Sequence, residues 1–112
     1  LSSNPDAFGF FGYSYLVANK DKIKASSING VQPSLEGIQD YSYPIARPLF
    51  FYVKKAHIGV IPGIQEYMKE FTSKKSMGSR GYLAEIGLVP LAADKYKVTR
   101  TAAVDLNTIK IK

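Results

Sequence analysis

The sequence predicts an α/β layered domain, and three observations favour that class. Residues 49–53, LFFYV, form the longest apolar run, and its aromatic and β-branched residues are typical of a strand buried on both faces. The stretch 62–72 has the apolar spacing of an amphipathic helix, i, i+3, i+4 and i+7, at Ile64, Tyr67, Met68 and Phe71. Predicted strands and helices alternate along the chain, and this order favours a layered sheet over a bundle or a sandwich.

The first part of the chain predicts short elements separated by turns. Residues 7–13 interleave glycine with aromatic residues, which is typical of a strand that another backbone or a helix approaches closely; the alternative is the wall of a cleft. Residues 14–22 predict a short amphipathic helix, and residues 23–28 predict an edge strand. The dipeptide Asn29-Gly30 is a strong turn signal, so the edge strand should end there.

The residues before the apolar run predict a capped helix, followed by a strand whose first residues are unpaired. Ser34 can cap a short helix at 35–38 through its side-chain oxygen. Pro44 and Pro48 remove two backbone donors just before residue 49. The start of the predicted strand should therefore be extended and unpaired.

The second half predicts mainly helices. The helix at 62–72 should begin at Pro62, because proline at the first helical position loses no hydrogen bond. Full burial of its four large apolar side chains would contribute about 1.5–3 kcal/mol each. Further on, the sequence predicts a polar linker at 73–81, a helix at 82–86 ended by Gly87, a helix at 92–103, and a frayed end or short edge strand at 106–112.

The composition is that of a single globular domain. Of 112 residues, 46% are apolar and 21% are charged, and no run approaches the ~20 apolar residues that span a bilayer. Cysteine is absent, so disulfides, thiolate metal sites and cysteine nucleophiles are excluded. The net charge of +6 favours anionic partners in general. The lysines are scattered without a reading motif, however, so they predict solvated faces and no nucleic-acid partner.

No set of side chains predicts an enzyme. His57 is the only histidine, and without a nucleophile motif around it we expect a solvent-facing loop residue. One histidine and scattered carboxylates do not make a metal site, and nothing points to a cofactor. Glu66 and Glu70 are one helical turn apart on the polar side of the predicted helix, so we expect them to face solvent.

Arg47 is the one charged residue in rigid, apolar sequence, because Pro44 and Pro48 flank it closely. A guanidinium group matches a phosphate or a carboxylate with two parallel hydrogen bonds. Two interpretations stay open at this point. Arg47 either makes a structural salt bridge or helix-end contact, or it binds an anion or closes a ligand-bound hinge.

Three segments of the chain resemble one family of bacterial proteins. They are residues 4–15, NPDAFGFFGYSY, residues 43–53, YPIARPLFFYV, and residues 81–91, which run from GYL to GLVPL. In this order and spacing they are similar to the C-terminal part of periplasmic phosphate-binding proteins, the substrate-binding components of the phosphate ABC transporter. The resemblance covers nearly the whole chain.

The resemblance implies a fold and a division of the chain. The family has a type II periplasmic-binding-protein fold, in which hinge-crossing strands join two α/β lobes and phosphate lies in the cleft. Residues 1–42 would then be part of the second lobe, residues 43–55 the inter-lobe crossing strand, and residues 56–112 the C-terminal part of the first lobe. Arg47 matches the Arg-Pro of the family's crossing strand, which implies a hinge or cleft-adjacent role.

The resemblance also implies binding and transport rather than a reaction. The complete protein would capture inorganic phosphate in the periplasm and pass it to a membrane permease, with its signal peptide outside this chain. Most phosphate ligands of the family lie in segments that this chain lacks, so we assign no phosphate-binding residue and expect a C-terminal fragment. The fragment should seek the missing N-terminal part or a second copy of itself. The alternative is a small non-catalytic α/β interaction or structural domain without ligand binding.

Overall fold

Helices are the regular secondary structure in residues 1–109, which are the residues that the computed structural model describes. Six α-helices follow one another, α1 (Tyr13–Ala18), α2 (Leu35–Gln39), α3 (Ile64–Phe71), α4 (Lys74–Met77), α5 (Tyr82–Glu85) and α6 (Ala93–Val104). A 3₁₀ turn, Lys55–His57, lies between α2 and α3. The longest helices are α6, with 12 residues, and α3, with 8.

The predicted α/β class is wrong for the part of the chain that the structure describes. Residues 1–109 form no strand and no sheet, so the hinge-crossing strand expected at 43–55 is absent as well. The β-type contacts there are two isolated bridges, Ile28 with Val31 and Ile58 with Ile61. The physical reason is that a strand completes its backbone hydrogen bonds with another strand. An apolar run predicts burial but does not supply that second strand.

The turn signal at Asn29-Gly30 is confirmed. The N–H groups of Ile28 and Val31 each donate to the other's carbonyl oxygen at 3.0 Å, and both turn residues have positive φ, 51° and 79°. Positive φ at both central positions is the geometry of a type I′ turn. The bridge ends with this residue pair, so the edge strand predicted at 23–28 does not form.

The helix signals in the sequence are mostly confirmed. The Ser34 hydroxyl oxygen accepts a hydrogen bond from the Gly37 N–H at 3.0 Å, which caps α2 as predicted. Gly87 ends α5 with φ 98°, a conformation that favours glycine. Helix α3 begins at Ile64, two residues after the predicted start, because Gly63 takes φ 87° and acts as the N-cap.

The C-terminal third departs from prediction in one place. Helix α4 lies where a polar linker was predicted, and the Ser73 hydroxyl oxygen accepts from the Ser76 N–H at 3.2 Å to cap it. Helix α6 is confirmed; it ends at Val104, and Leu106, two residues further on, has φ 57°. Of the predicted frayed end or edge strand at 106–112, residues 106–109 contain no strand, and residues 110–112 lie outside the described residues.

Few apolar side chains are buried. Ala46 and Met68 are the buried apolar residues in the described part, with 8% and 7% of their surface exposed. Helix α3 packs on α4 and α6, yet of its four predicted core residues only Met68 is buried, while Tyr67 is 60% exposed. The radius of gyration is 17.2 Å, against about 13 Å for a compact domain of this length. Much of the apolar surface therefore faces solvent.

Candidate functional site

Arg47 follows a tight turn formed by residues 43–46. The Ala46 N–H donates to the Tyr43 carbonyl oxygen at 2.9 Å, and Pro44 fixes φ at the second position of the turn. Nη1 of Arg47 donates to the carbonyl oxygens of Pro44 at 3.1 Å and Ala46 at 2.7 Å. These two bonds go to carbonyl oxygens of the turn rather than to a carboxylate. The guanidinium folds back on its own turn and stays exposed.

This turn is anchored to the rest of the molecule. The Tyr43 N–H donates to the Gly37 carbonyl oxygen of α2 at 2.9 Å, and its hydroxyl donates to the Ser26 carbonyl oxygen at 3.3 Å. Ala46, the last residue of the turn, is buried. Arg47 therefore extends from a fixed base, in line with its predicted rigid setting. Its hinge or cleft-adjacent role stays a prediction.

The residues after Arg47 and Pro48 form what we call the 49–54 segment, LFFYVK. The ring of Phe51 lies 4.6 Å from the ring of Phe71, which joins the segment to α3. Phe50 and Tyr52 stack on each other, with ring centroids 6.3 Å apart, and are 71% and 74% exposed. Pairing of residues i and i+2 is typical of extended backbone. Burial on both faces, predicted from the apolar run, is wrong.

An open groove lies between the end of the 49–54 segment and the start of α3. Its volume is about 380 Å³, and it is lined by Tyr52, Val53, Lys54, Pro62, Gly63, Ile64 and Tyr67. Lys54 is the charged residue in this lining, and no side chain caps the first N–H groups of α3. The groove therefore suits an apolar or acidic side chain. Sequence reasoning did not identify it, although the Pro62-Gly63 turn beside a helical Tyr67 was a usable signal.

A polar cluster joins α2 to α6. The carboxylate of Asp40 accepts a hydrogen bond from the Ser42 N–H at 2.8 Å. This bond and one from the Ser42 side chain lower the pKa of Asp40, and the nearby charge of Lys95 lowers it further. Nζ of Lys95 lies 4.3 Å from the centroid of the Tyr41 ring, within cation–π distance. Tyr41 has φ 64°, which is uncommon for a residue other than glycine.

The seam between α3 and α6 is built on Thr72, which is fully buried. Its hydroxyl donates to the Met68 carbonyl oxygen at 2.7 Å, and its own carbonyl oxygen accepts from the Tyr96 hydroxyl at 2.9 Å. Nη1 of Arg100 lies 3.4 Å from the Thr72 hydroxyl oxygen and completes the set. All of these partners belong to the protein, so the seam holds helices together rather than offering a ligand site.

Gly87 brings the end of α5 against α1. A Cβ atom at this position would overlap the Cβ of Ser14, so only glycine fits. A second long-range contact joins the 3₁₀ turn to the residues after α6, because Nζ of Lys55 donates to the Leu106 carbonyl oxygen at 3.1 Å. These contacts join residues far apart in sequence, and no local pattern predicted them.

The residues weighed for catalysis are exposed to solvent. His57 is exposed in the 3₁₀ turn, and Glu66 and Glu70 are exposed on α3. Across residues 1–109, no three His, Cys, Asp or Glu side chains come close enough together to hold a metal ion. In the same part of the chain, no helix is both long and apolar enough to cross a membrane.

Comparison with known proteins identifies the family. Residues 2–75 match the profile of the PBP superfamily domain, and two of the three resembling segments lie within that range. The phosphate-binding protein PstS of Staphylococcus aureus strain USA300 is 35% identical over 91 residues, which are 75% of this chain and 28% of the relative. The protein of the same name from strain bovine RF122 / ET3-1 is 33% identical, with the same coverage.

The similarity covers a limited part of these relatives, since the chain spans 28% of their length. No solved structure matches the chain. The profile nevertheless covers more than half of the 112 residues, and the relatives confirm the resemblance to phosphate-binding proteins. The chain therefore belongs to the family described as the PBP superfamily domain.

Proposed function

We propose that this chain is the C-terminal part of the solute-binding component of a phosphate ABC transporter. The observation that carries the proposal is the 35% identity to a phosphate-binding protein over 75% of the chain. The complete protein would capture one inorganic phosphate ion between two lobes and pass it to a membrane permease after hinge closure. Residues 1–42, 43–55 and 56–112 would be part of the second lobe, the inter-lobe crossing and the C-terminal part of the first lobe.

Charge and position of the described residues support an anionic ligand. The net charge of +6 attracts anions over a long range. Arg47 uses Nη1 for carbonyls of its own turn and remains exposed, next to the start of the 49–54 segment. A guanidinium fixed in this way has a defined direction, which suits a hinge or cleft-adjacent position. We therefore place Arg47 beside the phosphate cleft and assign no phosphate-contacting residue.

The rest of the cleft would come from outside this chain. The relatives are more than three times as long as the part matched here, since that part is 28% of their length. A binding site for a small ion needs donors that converge from several directions. The 112-residue chain alone should therefore bind phosphate weakly or not at all. A periplasmic location of the complete protein belongs to this same proposal.

The proposal is tested by calorimetric titration of inorganic phosphate into two proteins. One is the 112-residue chain, and the other is the polypeptide prepared at the full length that its gene encodes. We expect tight binding by the longer polypeptide and no measurable heat with the short chain beyond a sodium chloride control. Submicromolar affinity of the short chain would contradict the missing-cleft proposal. No binding by the longer polypeptide would contradict the assignment to phosphate.

A further inference from the structure

Lys55 brings a positive charge to the C-terminal end of α6. The last carbonyl groups of a helix have no partner within the helix, and they carry partial negative charge that a cation stabilises. The last turn of α6 contains no basic residue of its own, and the acidic Asp105 follows it. Nζ of Lys55 donates to the Leu106 carbonyl oxygen at 3.1 Å and to the Thr108 hydroxyl oxygen at 3.4 Å. A lysine from 51 residues earlier in the chain therefore complements this helix end.

The carbonyl group that Lys55 contacts is presented by an unusual backbone conformation. The Leu106 N–H donates to the Ala103 carbonyl oxygen at 3.4 Å, and the Asn107 N–H donates to the Ala102 carbonyl oxygen at 2.9 Å. This pair of bonds is the Schellman motif, whose left-handed position is usually occupied by glycine. Here Leu106 occupies it with φ 57°. Such a conformation persists where surrounding contacts hold it, and the bond from Lys55 is one such contact.

The backbone of Lys55 is fixed as well. Lys55 opens the 3₁₀ turn between α2 and α3, and its carbonyl oxygen accepts from the Ile58 N–H at 3.0 Å. The proposed inter-lobe crossing, residues 43–55, ends at this residue. At the other end of the crossing, the Tyr43 N–H donates to the Gly37 carbonyl oxygen of α2 at 2.9 Å. Each end of the crossing is therefore held by a hydrogen bond to another part of the chain.

We propose that Lys55 is a positioning residue for phosphate capture, because its bond to the end of α6 fixes the point at which the inter-lobe crossing enters the first lobe. This role rests on the proposed function, in which hinge closure brings two lobes around the ion. A binding site whose parts are already fixed loses less conformational freedom on binding, and it therefore binds more tightly. Lys55 acts on the phosphate affinity through α6 and does not contact the ion.

Phosphate titration of Lys55→Met tests this role in the polypeptide at full encoded length. The phosphate affinity should fall about three- to fivefold, the size expected when one exposed charged contact is lost. Lys55→Arg keeps a cationic donor and should restore most of the affinity. The control Lys54→Met, at the neighbouring exposed lysine, should leave the affinity unchanged. A lower melting temperature of Lys55→Met with unchanged affinity would overturn the proposal, because a merely structural contact gives that result.

A double-mutant cycle tests whether Lys55 acts through the end of α6. Leu106→Pro cannot adopt φ 57°, so the carbonyl group should move away from Lys55 and the affinity should fall by a similar factor. Leu106→Gly keeps the conformation and should bind phosphate normally. Lys55→Met combined with Leu106→Pro should lose no more affinity than the more affected single variant. Losses that add would show that Lys55 acts elsewhere, and they would overturn the proposal.

NMR relaxation of the lysine side chains gives a result that does not depend on these variants. In the unmodified longer polypeptide, the ammonium group of Lys55 should be more ordered than that of Lys54, because two hydrogen bonds hold it. Equal order of the two groups would refute the contact. Absence of phosphate binding by the unmodified polypeptide would refute the proposed function and with it the positioning role. Phosphate binding that Lys55→Met leaves unchanged would refute the positioning role alone.

Discussion

Replacing Phe51 with alanine tests how the 49–54 segment is held on α3. Phe51 is 39% exposed, so about three fifths of its side chain is buried, and its ring lies 4.6 Å from that of Phe71. Removing a fully buried phenylalanine side chain costs about 3–5 kcal/mol, so the partial burial here scales to about 2–3 kcal/mol. A loss of about 2 kcal/mol in the free energy of local unfolding would raise the population of molecules in which α3 is locally unfolded about 30-fold.

The assay is NMR-detected hydrogen exchange of the Thr72 amide, which donates to the Met68 carbonyl oxygen of α3 at 3.1 Å. The matched control is Phe50→Ala, because Phe50 is 71% exposed and stacks on Tyr52 instead of α3. The control should change the exchange rate by less than about twofold. Equal acceleration by both substitutions, or no acceleration by Phe51→Ala, would refute the proposed packing.

Three further predictions concern separate parts of the chain. Gly87→Ala should lower the free energy of unfolding by more than Gly30→Ala, because both positions have positive φ but only Gly87 has no room for a Cβ atom. The φ strain alone costs about 1–2 kcal/mol at either position. Equal losses of stability in thermal melts of the two variants would contradict the close contact at Gly87. The lowered pKa of Asp40 contributes stability above the pKa of the unfolded state, and this stability is lost as the pH falls through the pKa of the folded state. Asp40→Asn keeps a hydrogen-bond acceptor but cannot titrate, so its melting temperature should fall less than that of the unmodified chain below about pH 4. Identical pH profiles of the two melting temperatures would rule this out. In the longer polypeptide, Arg47→Gln should weaken phosphate binding about tenfold, equivalent to about 1.4 kcal/mol, whereas the control Arg80→Gln should leave the affinity unchanged. Equal losses of phosphate affinity in the two variants would contradict the hinge-side role of Arg47.

Features that depend on one or two neighbouring residues were predicted correctly from the sequence. The Ser34 cap, the Asn29-Gly30 turn and the Gly87 helix end each depend on one or two residues and their backbone conformation. The apolar spacing of 62–72 located α3 within two residues of each end. Helix α4 was missed because its apolar pattern is too short to register, although Ser73 was a usable capping signal.

Nonlocal features were not predictable in the same way. The run at 49–53 indicates which side chains avoid water but not where their partner lies, so the expected sheet is absent from residues 1–109. The same reasoning explains why three of the four predicted core residues of α3 are not fully buried. For Arg47, Pro44 and Pro48 correctly predicted a rigid setting, whereas its contacts with carbonyls of its own turn became visible only in the structure.

The phosphate stoichiometry of the polypeptide at full encoded length, measured by calorimetry with and without residues 1–112, tests the proposed function most directly. We expect one phosphate ion per molecule of the complete polypeptide and no measurable binding after residues 1–112 are deleted. Unchanged binding after the deletion would show that this chain contributes nothing to the site. Absence of binding by the complete polypeptide would contradict the central claim that the chain is part of a phosphate-capturing protein.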